Sequence, residues 1–281
     1  MIIRLLAICF LMIFPATAQA ATLEAPDSVG VGQPFQIRLT SEEPLDAVSL
    51  EWLGRGTDLA VFHTKDGYEA VAVVGVGLDD PTGDAVLVVK TVGAEGVQRL
   101  ERAVSVEPRD FPVQKLTVAP KYVTPSKEAL ERHRKEKGRI LEVLHARTRA
   151  QYLKRPFVRP VSGIVTSAFG LRRVFNGEPR NPHKGVDLRG KEGTPVKAFA
   201  AGKVALTGNF YFAGNCVYLD HGQGVVSVYV HLSSIDVRRG DVVRAGQVVG
   251  RVGATGRVTA AHLHFGLYVL DRAVDPLPLL D

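Results

Sequence analysis

The residues with the clearest chemical potential lie near the carboxyl end, in the run TAAHLHFGLY from Thr259 to Tyr268. His262 and His264 are two positions apart, among aromatic and small residues. Side chains at i and i+2 of a strand point to the same face, so we expect both imidazoles to project together. Leu263 and Phe265 would then face the opposite way, into apolar packing.

A second candidate motif, HKGVD, places His183 four positions before Asp187. Pro182 and Gly185 argue against a helix there. In an extended strand the two Cα atoms would be about 13 Å apart. The side chains could share a metal ion only if the chain bends between them, and Gly185 is the residue that permits such a bend.

A catalytic zinc site needs three protein groups and an open position for water. His183, Asp187 and one histidine of the H-x-H pair give that number. Using both histidines of the pair would close a tetrahedral site, but the residues alone do not decide which one binds. The other histidine, with His231 in YVHLS, would be free for acid–base chemistry.

The elements that must position these groups are mainly β. Residues 21–119 contain alternating runs such as PFQIRLT and VSLEWL, which predict a small antiparallel β-sandwich. Residues 120–156 predict a basic helical linker, in which Gly138 could introduce a break. Residues 157–281 return to short strands and tight turns, including the hairpin signal DHGQG, and predict an antiparallel β-sheet domain.

Residues 1–20 have the pattern of a signal peptide, with Arg4, an apolar run and a small-residue ending at Ala20. Export to the periplasm is therefore expected. Removal of this segment leaves Cys216 as the only cysteine, so no intramolecular disulfide is expected. We expect Cys216 to be a small buried residue.

The positive charge of the chain is concentrated in the predicted linker. The sequence from Lys121 to Pro160 has twelve Lys/Arg and four Asp/Glu, whereas the rest of the mature chain is about −3. A basic segment of this kind favours an anionic surface or polymer. A solvated helix face explains it equally well. Nothing in the sequence resembles a nucleic-acid-binding module.

Four motifs, SAFGLRR, HKGVD, YVHLS and GRVGATGRVTAAHLHF, resemble in order those of the lysostaphin/LytM-type zinc metallopeptidases. The resemblance covers Phe157 to Pro276 and implies a LytM-like β-sheet peptidase domain that cuts peptide cross-links of peptidoglycan. Weaker similarity links the preceding β domain to exported Gram-negative members. Gly266 and Val230 depart from the residues usual in the family.

The same resemblance implies roles for individual residues. His183, Asp187 and His264 would bind one Zn²⁺ per chain, and His231 and His262 would form the catalytic pair. Which of the pair acts as general base stays open. Arg172 matches an arginine near the substrate groove, and His221 matches a position that is not a ligand.

Three alternatives accompany this prediction. The chain could be a non-catalytic regulator with the same fold that activates a separate cell-wall amidase, although all five matching positions are filled. VRRGDVVRAGQVVG resembles the turns of lipoyl and biotinyl carrier domains, but DHGQG offers no lysine for modification. The amino-terminal half could cover the groove, under control of a cell-envelope partner, or act as a spacer.

Overall fold

The computed structural model describes residues 21–117 and 125–280 of the chain. The predicted signal peptide lies outside the described residues. The fold is mainly β, as predicted, with one α-helix among the described residues. Within those residues, no helix has both the length and the apolar character needed to cross a membrane.

Ten strands precede the helix: β1 Thr22–Glu24, β2 Ser28–Gly30, β3 Pro34–Ser41, β4 Leu45–Trp52, β5 Arg55–Leu59, β6 Phe62–Thr64, β7 Gly67–Gly75, β8 Gly83–Gly93, β9 Gly96–Glu107 and β10 Val113–Leu116. Nine of them form two sheets, with the orders β1-β3-β7-β6 and β2-β9-β8-β4-β5. All pairs are antiparallel except the short parallel pair of β2 and β9. Tight turns between alternating strands produce this arrangement.

Trp52 joins the two sheets. It ends β4 in the second sheet and is fully buried. Its indole Nε1 donates to the carbonyl of Gly75, at the end of β7 in the first sheet, at 3.0 Å. Phe35 meets the indole edge-to-face, with ring centroids 5.4 Å apart. The alternation of apolar residues in VSLEWL thus directs one face of β4 into a shared apolar interior.

The helix, α1, spans Lys127–His145. Ser126 caps it by accepting a hydrogen bond from the amide of Ala129 at 3.2 Å. The helix continues through Gly138 without a break, so the predicted interruption does not occur. Instead of standing free, α1 packs on the carboxy-terminal sheet, where Leu144 is buried. This packing stabilises the helix and compensates for the low helix propensity of Gly138.

Twelve strands follow the helix: β11 Val165–Ser167, β12 Arg172–Phe175, β13 Glu178–Pro179, β14 Val186–Arg189, β15 Pro195–Lys197, β16 Gly202–Phe210, β17 Gly214–Gly222, β18 Val225–Ile235, β19 Val242–Val243, β20 Val248–Val252, β21 His262–Val269 and β22 Arg272–Val274. A 3-10 turn, Leu277–Leu279, comes after them. The main path of the large sheet is β11-β14-β21-β18-β17-β16-β19, and all its pairs are antiparallel. The DHGQG hairpin joins β17 to β18, as predicted.

The amino-terminal sheets and the large sheet share one apolar core. Gly75 lies so close to β22 that a Cβ added to Gly75 would be 2.6 Å from Cγ1 of Val274. The amide of Asp275 donates to the carbonyl of Gly32 at 2.7 Å. The buried Arg272 forms an ion pair with Asp80. The two β regions are therefore packed against each other through buried contacts.

Candidate metal centre

The register of two neighbouring strands assembles the candidate centre. β14 pairs with β21 so that Asp187 stands opposite His264 and Arg189 opposite His262. Leu263 and Phe265 of β21 are fully buried, as the alternation predicts. His262 and His264, which alternate with them, project to the other face. A pairing shifted by one residue would send them into the core.

Three ligand atoms converge at this point. Nε2 of His183 lies 3.0 Å from Oδ1 of Asp187 and 2.8 Å from Nδ1 of His264. Nδ1 of His264 lies 2.9 Å from the same carboxylate oxygen. Within the described residues, this is the group of three His, Cys, Asp or Glu side chains whose geometry could hold a metal ion.

Gly185 allows the close approach of His183 and Asp187, but not by a left-handed backbone. Its φ lies outside that region. A Cβ at Gly185 would instead be 2.6 Å from the carbonyl oxygen of Phe265 and 2.7 Å from Nε2 of His264. The glycine is needed because a side chain would collide with the neighbouring strand and with one of the candidate ligands.

The hydrogen bonds around the centre leave lone pairs directed inward. Nδ1 of His183 lies 2.8 Å from the carbonyl of Ala168. A carbonyl only accepts, so this nitrogen carries the ring proton and Nε2 keeps its lone pair. Nδ1 of His264 can bring one proton to the group, and it faces two acceptors. At least one pair of acceptors therefore has no proton between them, which suits a cation with imidazole and carboxylate ligands.

Burial sets the protonation of these groups. It lowers the pKa of His183 to about 4, so the ring is neutral near pH 7. Burial acts to raise the pKa of Asp187, but the nearby imidazoles of His183 and His264 outweigh it and hold that pKa well below its usual range. The centre thus combines a neutral imidazole with an ionised carboxylate, the forms that bind a metal.

His231 reaches this centre because of a β-bulge in β18. Tyr229 and Leu232 both point into the core, and the pairing with β17 shifts between them. His231 is the extra residue, with φ of 66°. Bulges of this kind redirect one side chain. The ring lies 5.0 Å from that of His262 and 6.1 Å from that of His264, centroid to centroid.

The two imidazoles that are not in the three-ligand group share one tautomer. Nδ1 of His231 lies 2.9 Å from the carbonyl of Thr255, and Nδ1 of His262 lies 2.8 Å from that of Ala260. Both nitrogens must donate, which leaves both Nε2 atoms as acceptors when the rings are neutral. Burial, followed by the charges of His264 and His262, lowers the pKa of His231 to about 3. Nε2 of each neutral ring can therefore accept a hydrogen bond.

The arginine in contact with the centre is Arg173 rather than Arg172. Its Nη2 lies 3.2 Å from Oδ2 of Asp187. The exposed Arg172 instead lines a separate groove beside Leu78 and Asp80. Neighbouring residues of β12 face opposite ways, so only one of the two arginines can reach the centre. Arg173 shares its strand face with the buried Phe175, two positions further along β12.

A cavity of about 390 Å³, the histidine cavity, opens onto the centre. His231, His262, His264 and Asp187 line it, together with Gln114 of β10. β10 runs parallel to β12, with Gln114 in register with Arg173. The end of the amino-terminal half therefore contributes one wall of the cavity.

Two other candidate groups lie away from the centre. His221 is fully buried, with Nδ1 donating to the carbonyl of Ala201 at 2.6 Å and Nε2 lying 2.7 Å from the Ser227 hydroxyl. Cys216 is also buried, as predicted, and burial raises the pKa of its thiol to about 12. An uncharged thiol of this kind is a poor nucleophile.

Comparison with known proteins agrees with this geometry. Residues 181–276 match the sequence profile described as Peptidase family M23. The chain is 41% identical, over 129 residues, to a peptidoglycan DD-endopeptidase, ShyA, of Vibrio cholerae, which covers 44% of this chain and 30% of that protein. It is 37% identical, over 113 residues, to a DD-carboxypeptidase/endopeptidase, Mpg, of Neisseria meningitidis, which covers 40% of this chain and 26% of that protein. The matches thus span about a third or less of these relatives' lengths.

The fold has a solved counterpart over most of its length. A crystal structure of a candidate peptidase M23 from Pseudomonas aeruginosa superposes with a TM-score of 0.67 and 29% identity. The match covers 88% of this chain and 93% of that one. The likeness therefore extends beyond the region around the histidines and includes much of the amino-terminal half.

Proposed function

We propose that the protein is a zinc-dependent endopeptidase that hydrolyses peptide cross-links of peptidoglycan, since residues 181–276 match the profile of peptidase family M23. The observation that carries the proposal is the convergence of His183, Asp187 and His264 beside two further imidazoles. The DD-endopeptidase names of the relatives support peptidoglycan as the substrate.

In this proposal His183 Nε2, Asp187 Oδ1 and His264 Nδ1 hold one zinc ion. When bound, zinc supplies a Lewis acid for the scissile carbonyl and lowers the pKa of water. Arg173 holds the second oxygen of Asp187, and the carbonyl of Ala168 fixes the tautomer of His183. Outer partners of this kind orient metal ligands and maintain affinity.

His231 and His262 carry out the proton transfers. One imidazole accepts a proton at Nε2 from the attacking water and later gives that proton to the leaving amine. The other imidazole, when protonated, donates a hydrogen bond from Nε2 to the developing oxyanion. The carbonyls of Thr255 and Ala260 keep both Nε2 atoms available for this step. The two rings have the same kind of hydrogen bond at Nδ1, so hydrogen bonding does not decide which ring takes which role.

A wall substrate requires a location outside the cytoplasmic membrane, and we place the protein in the periplasm. Peptidoglycan is then its principal partner. The excess of Lys and Arg between Lys121 and Pro160 adds attraction to an anionic polymer.

The proposal is tested by digesting purified peptidoglycan with the zinc-loaded full chain and with its His231→Ala variant. We expect release of peptide fragments by the wild type and loss of this release on chelation. His231→Ala should retain its zinc and lose about 10²–10⁴-fold in rate, the usual contribution of a general acid or base. A folded, zinc-loaded His231→Ala variant that digests at the wild-type rate would sink the assignment.

The same assay separates an enzyme from a regulator. A regulator would release no fragments, whether or not it contained zinc. It would instead raise the rate of a cell-wall amidase added to the mixture. Fragment release that depends on zinc identifies the enzyme. Mass spectrometry of the released fragments then identifies the bond that is cut.

A further inference from the structure

A second cavity, of about 480 Å³, adjoins the histidine cavity at the candidate metal centre and shares Arg173, Arg257 and His264 with it. We call it the cationic cavity. His183 and His264 form part of its wall, so it opens directly onto the three-ligand group. Its remaining lining comes from the β12–β13 hairpin, the segment before β14, the loops before β17 and β21, and the residues Pro125 and His133 at α1.

The charge of this lining has one sign. Arg173, Arg180, Lys184 and Arg257 all line the cavity, and no Asp or Glu is among its described lining residues. Arg173 also contacts Asp187 beneath the cavity. The amide of Arg180 donates to the carbonyl of Arg173 at 2.8 Å, which makes the two cations cross-strand neighbours. Like charges in that position destabilise a hairpin, so folding alone does not account for them.

Aromatic rings hold one of these cations in place. The guanidinium carbon of Arg257 lies 4.3 Å from the ring centroid of Phe212 and 5.5 Å from that of Phe175. Contact with ring faces fixes the plane of the Arg257 guanidinium at the wall of the cavity. Phe212 is in turn supported by His133, with ring centroids 4.8 Å apart.

The helix that closes the cavity is itself anchored. The buried Glu136 of α1 accepts a hydrogen bond from the amide of Tyr211 at 2.9 Å. Its other oxygen accepts from Nε of Arg132 at 2.6 Å. Arg132 also donates to the carbonyl of Asn209 at 2.8 Å. These contacts hold α1 against the segment that carries Phe212, so the cavity has a built wall.

We propose that the cationic cavity binds a free carboxylate of an acidic peptide substrate, beside the bond that is cleaved. The inference rests on the proposed endopeptidase function, since it names the substrate chemistry for that same site. Guanidinium and ammonium groups bind carboxylates through charge-assisted hydrogen bonds, which are stronger than neutral ones. A neutral peptide such as a glycine bridge would offer this cationic lining no side-chain carboxylate.

The test uses two versions of one synthetic cross-linked stem-peptide dimer, the first with free carboxylates and the second with those groups converted to carboxamides. Binding of each is measured by calorimetry on the metal-free full chain, and cleavage on the zinc-loaded chain. We expect the acid to bind at least about tenfold more tightly than the amide, as for one charge-assisted contact. That preference should shrink as salt is raised.

A pair of matched variants locates the effect. Lys184→Gln combined with Arg180→Gln should remove most of the preference for the acid without changing binding of the amide. Lys191→Gln combined with Arg239→Gln removes the same charge at exposed positions outside the cavity lining and should leave the preference intact. Circular dichroism verifies that both double variants are folded.

Equal binding of acid and amide by the wild type would overturn the inference, and so would an unchanged preference in the Lys184/Arg180 variant. The proposed function fails separately. If the zinc-loaded chain binds the acid preferentially but cleaves neither peptide, the endopeptidase activity is rejected while carboxylate recognition is supported.

Discussion

The two β regions of this molecule bury different kinds of side chain. Within residues 21–117 the buried polar groups are neutral hydroxyls, Ser41, Thr57 and Thr91. Residues 157–280 bury ionisable groups, namely His183, Asp187, Asp220, His221, His231 and Arg272. Burial of such groups costs free energy unless each is paired. The amino-terminal sheets show that a β core can be built without them.

The ionisable groups of the large sheet fall into two classes. Asp220 and His221 are satisfied by neighbours, since the carboxylate of Asp220 accepts from the amide of Gly222 and the hydroxyl of Thr148, each at 2.8 Å. The second class, around Asp187, has more acceptors than protons. A surplus of hydrogen-bond acceptors over protons therefore distinguishes a candidate metal site from a structural network. The number of histidines alone does not make this distinction.

The largest expected effect is on metal content. His264→Ala removes one of three ligands, and its cost should exceed the roughly 10–100-fold loss of affinity that follows loss of an outer partner. Its zinc content after dialysis should fall from about one per chain to near zero. His63→Ala, on the exposed strand β6, is the control and should retain zinc. If elemental analysis found about one zinc per chain in His264→Ala, His264 would not be a ligand, and the proposed metal site would no longer distinguish the large sheet from the amino-terminal sheets.

A smaller effect is expected on acid stability, from the structural class. Burial lowers the pKa of His221 from 6.5 to about 4. The unfolded chain then binds more protons between these values, so the contribution of His221 to stability is complete above about pH 6.5 and is lost as pH falls through 4. The free energy of unfolding should decrease by up to about 3 kcal/mol over this range.

Urea unfolding of the metal-free chain at pH 7 and pH 4.5 measures this decrease. His221→Gln cannot titrate, so its unfolding free energy should change less between the two pH values than that of the wild type. The other histidines are present in both proteins and cancel in the difference. Identical changes in the two proteins would show that folding does not lower the pKa of His221.

The smallest effect belongs to the amino-terminal sheets. Trp52→Phe removes the buried hydrogen bond to the carbonyl of Gly75 and should lower the free energy of unfolding by about 1–3 kcal/mol. Zinc content and peptide cleavage should be unchanged. Trp52→Tyr is a useful second variant because it keeps a polar group on the ring. If Trp52→Phe altered zinc content, the two regions would be coupled more closely than their chemistry suggests.

Much of the site follows from the sequence, because strand alternation is a local property. The shared face of His262 and His264 and the burial of Leu263 and Phe265 required only the period of two. The contact of Asp187 with His264 depends on the register between two distant strands, which no local pattern specifies. The position of His231 depends on a bulge, and a bulge has no reliable sequence signature in this run.

Other features needed tertiary contacts. Gly138 predicts a weak helix, but packing of α1 on the sheet outweighs its intrinsic preference. Arg172 and Arg173 are chemically identical, and the buried position of Phe175 selects between them. The carbonyls of Ala168, Thr255 and Ala260 fix three tautomers, yet backbone groups are the same in every residue type and leave no trace in composition.

The apolar core that the two β regions share has a consequence for truncation of the protein. A fragment beginning at Phe157 would encode the whole large sheet but would leave Val274, and the buried guanidinium of Arg272, without their partners Gly75 and Asp80. The surface around Val274 would then be exposed and apolar, and we expect the fragment to aggregate. A fragment of residues 157–281 should therefore have a polar residue in place of Val274, or should include the amino-terminal sheets that cover it.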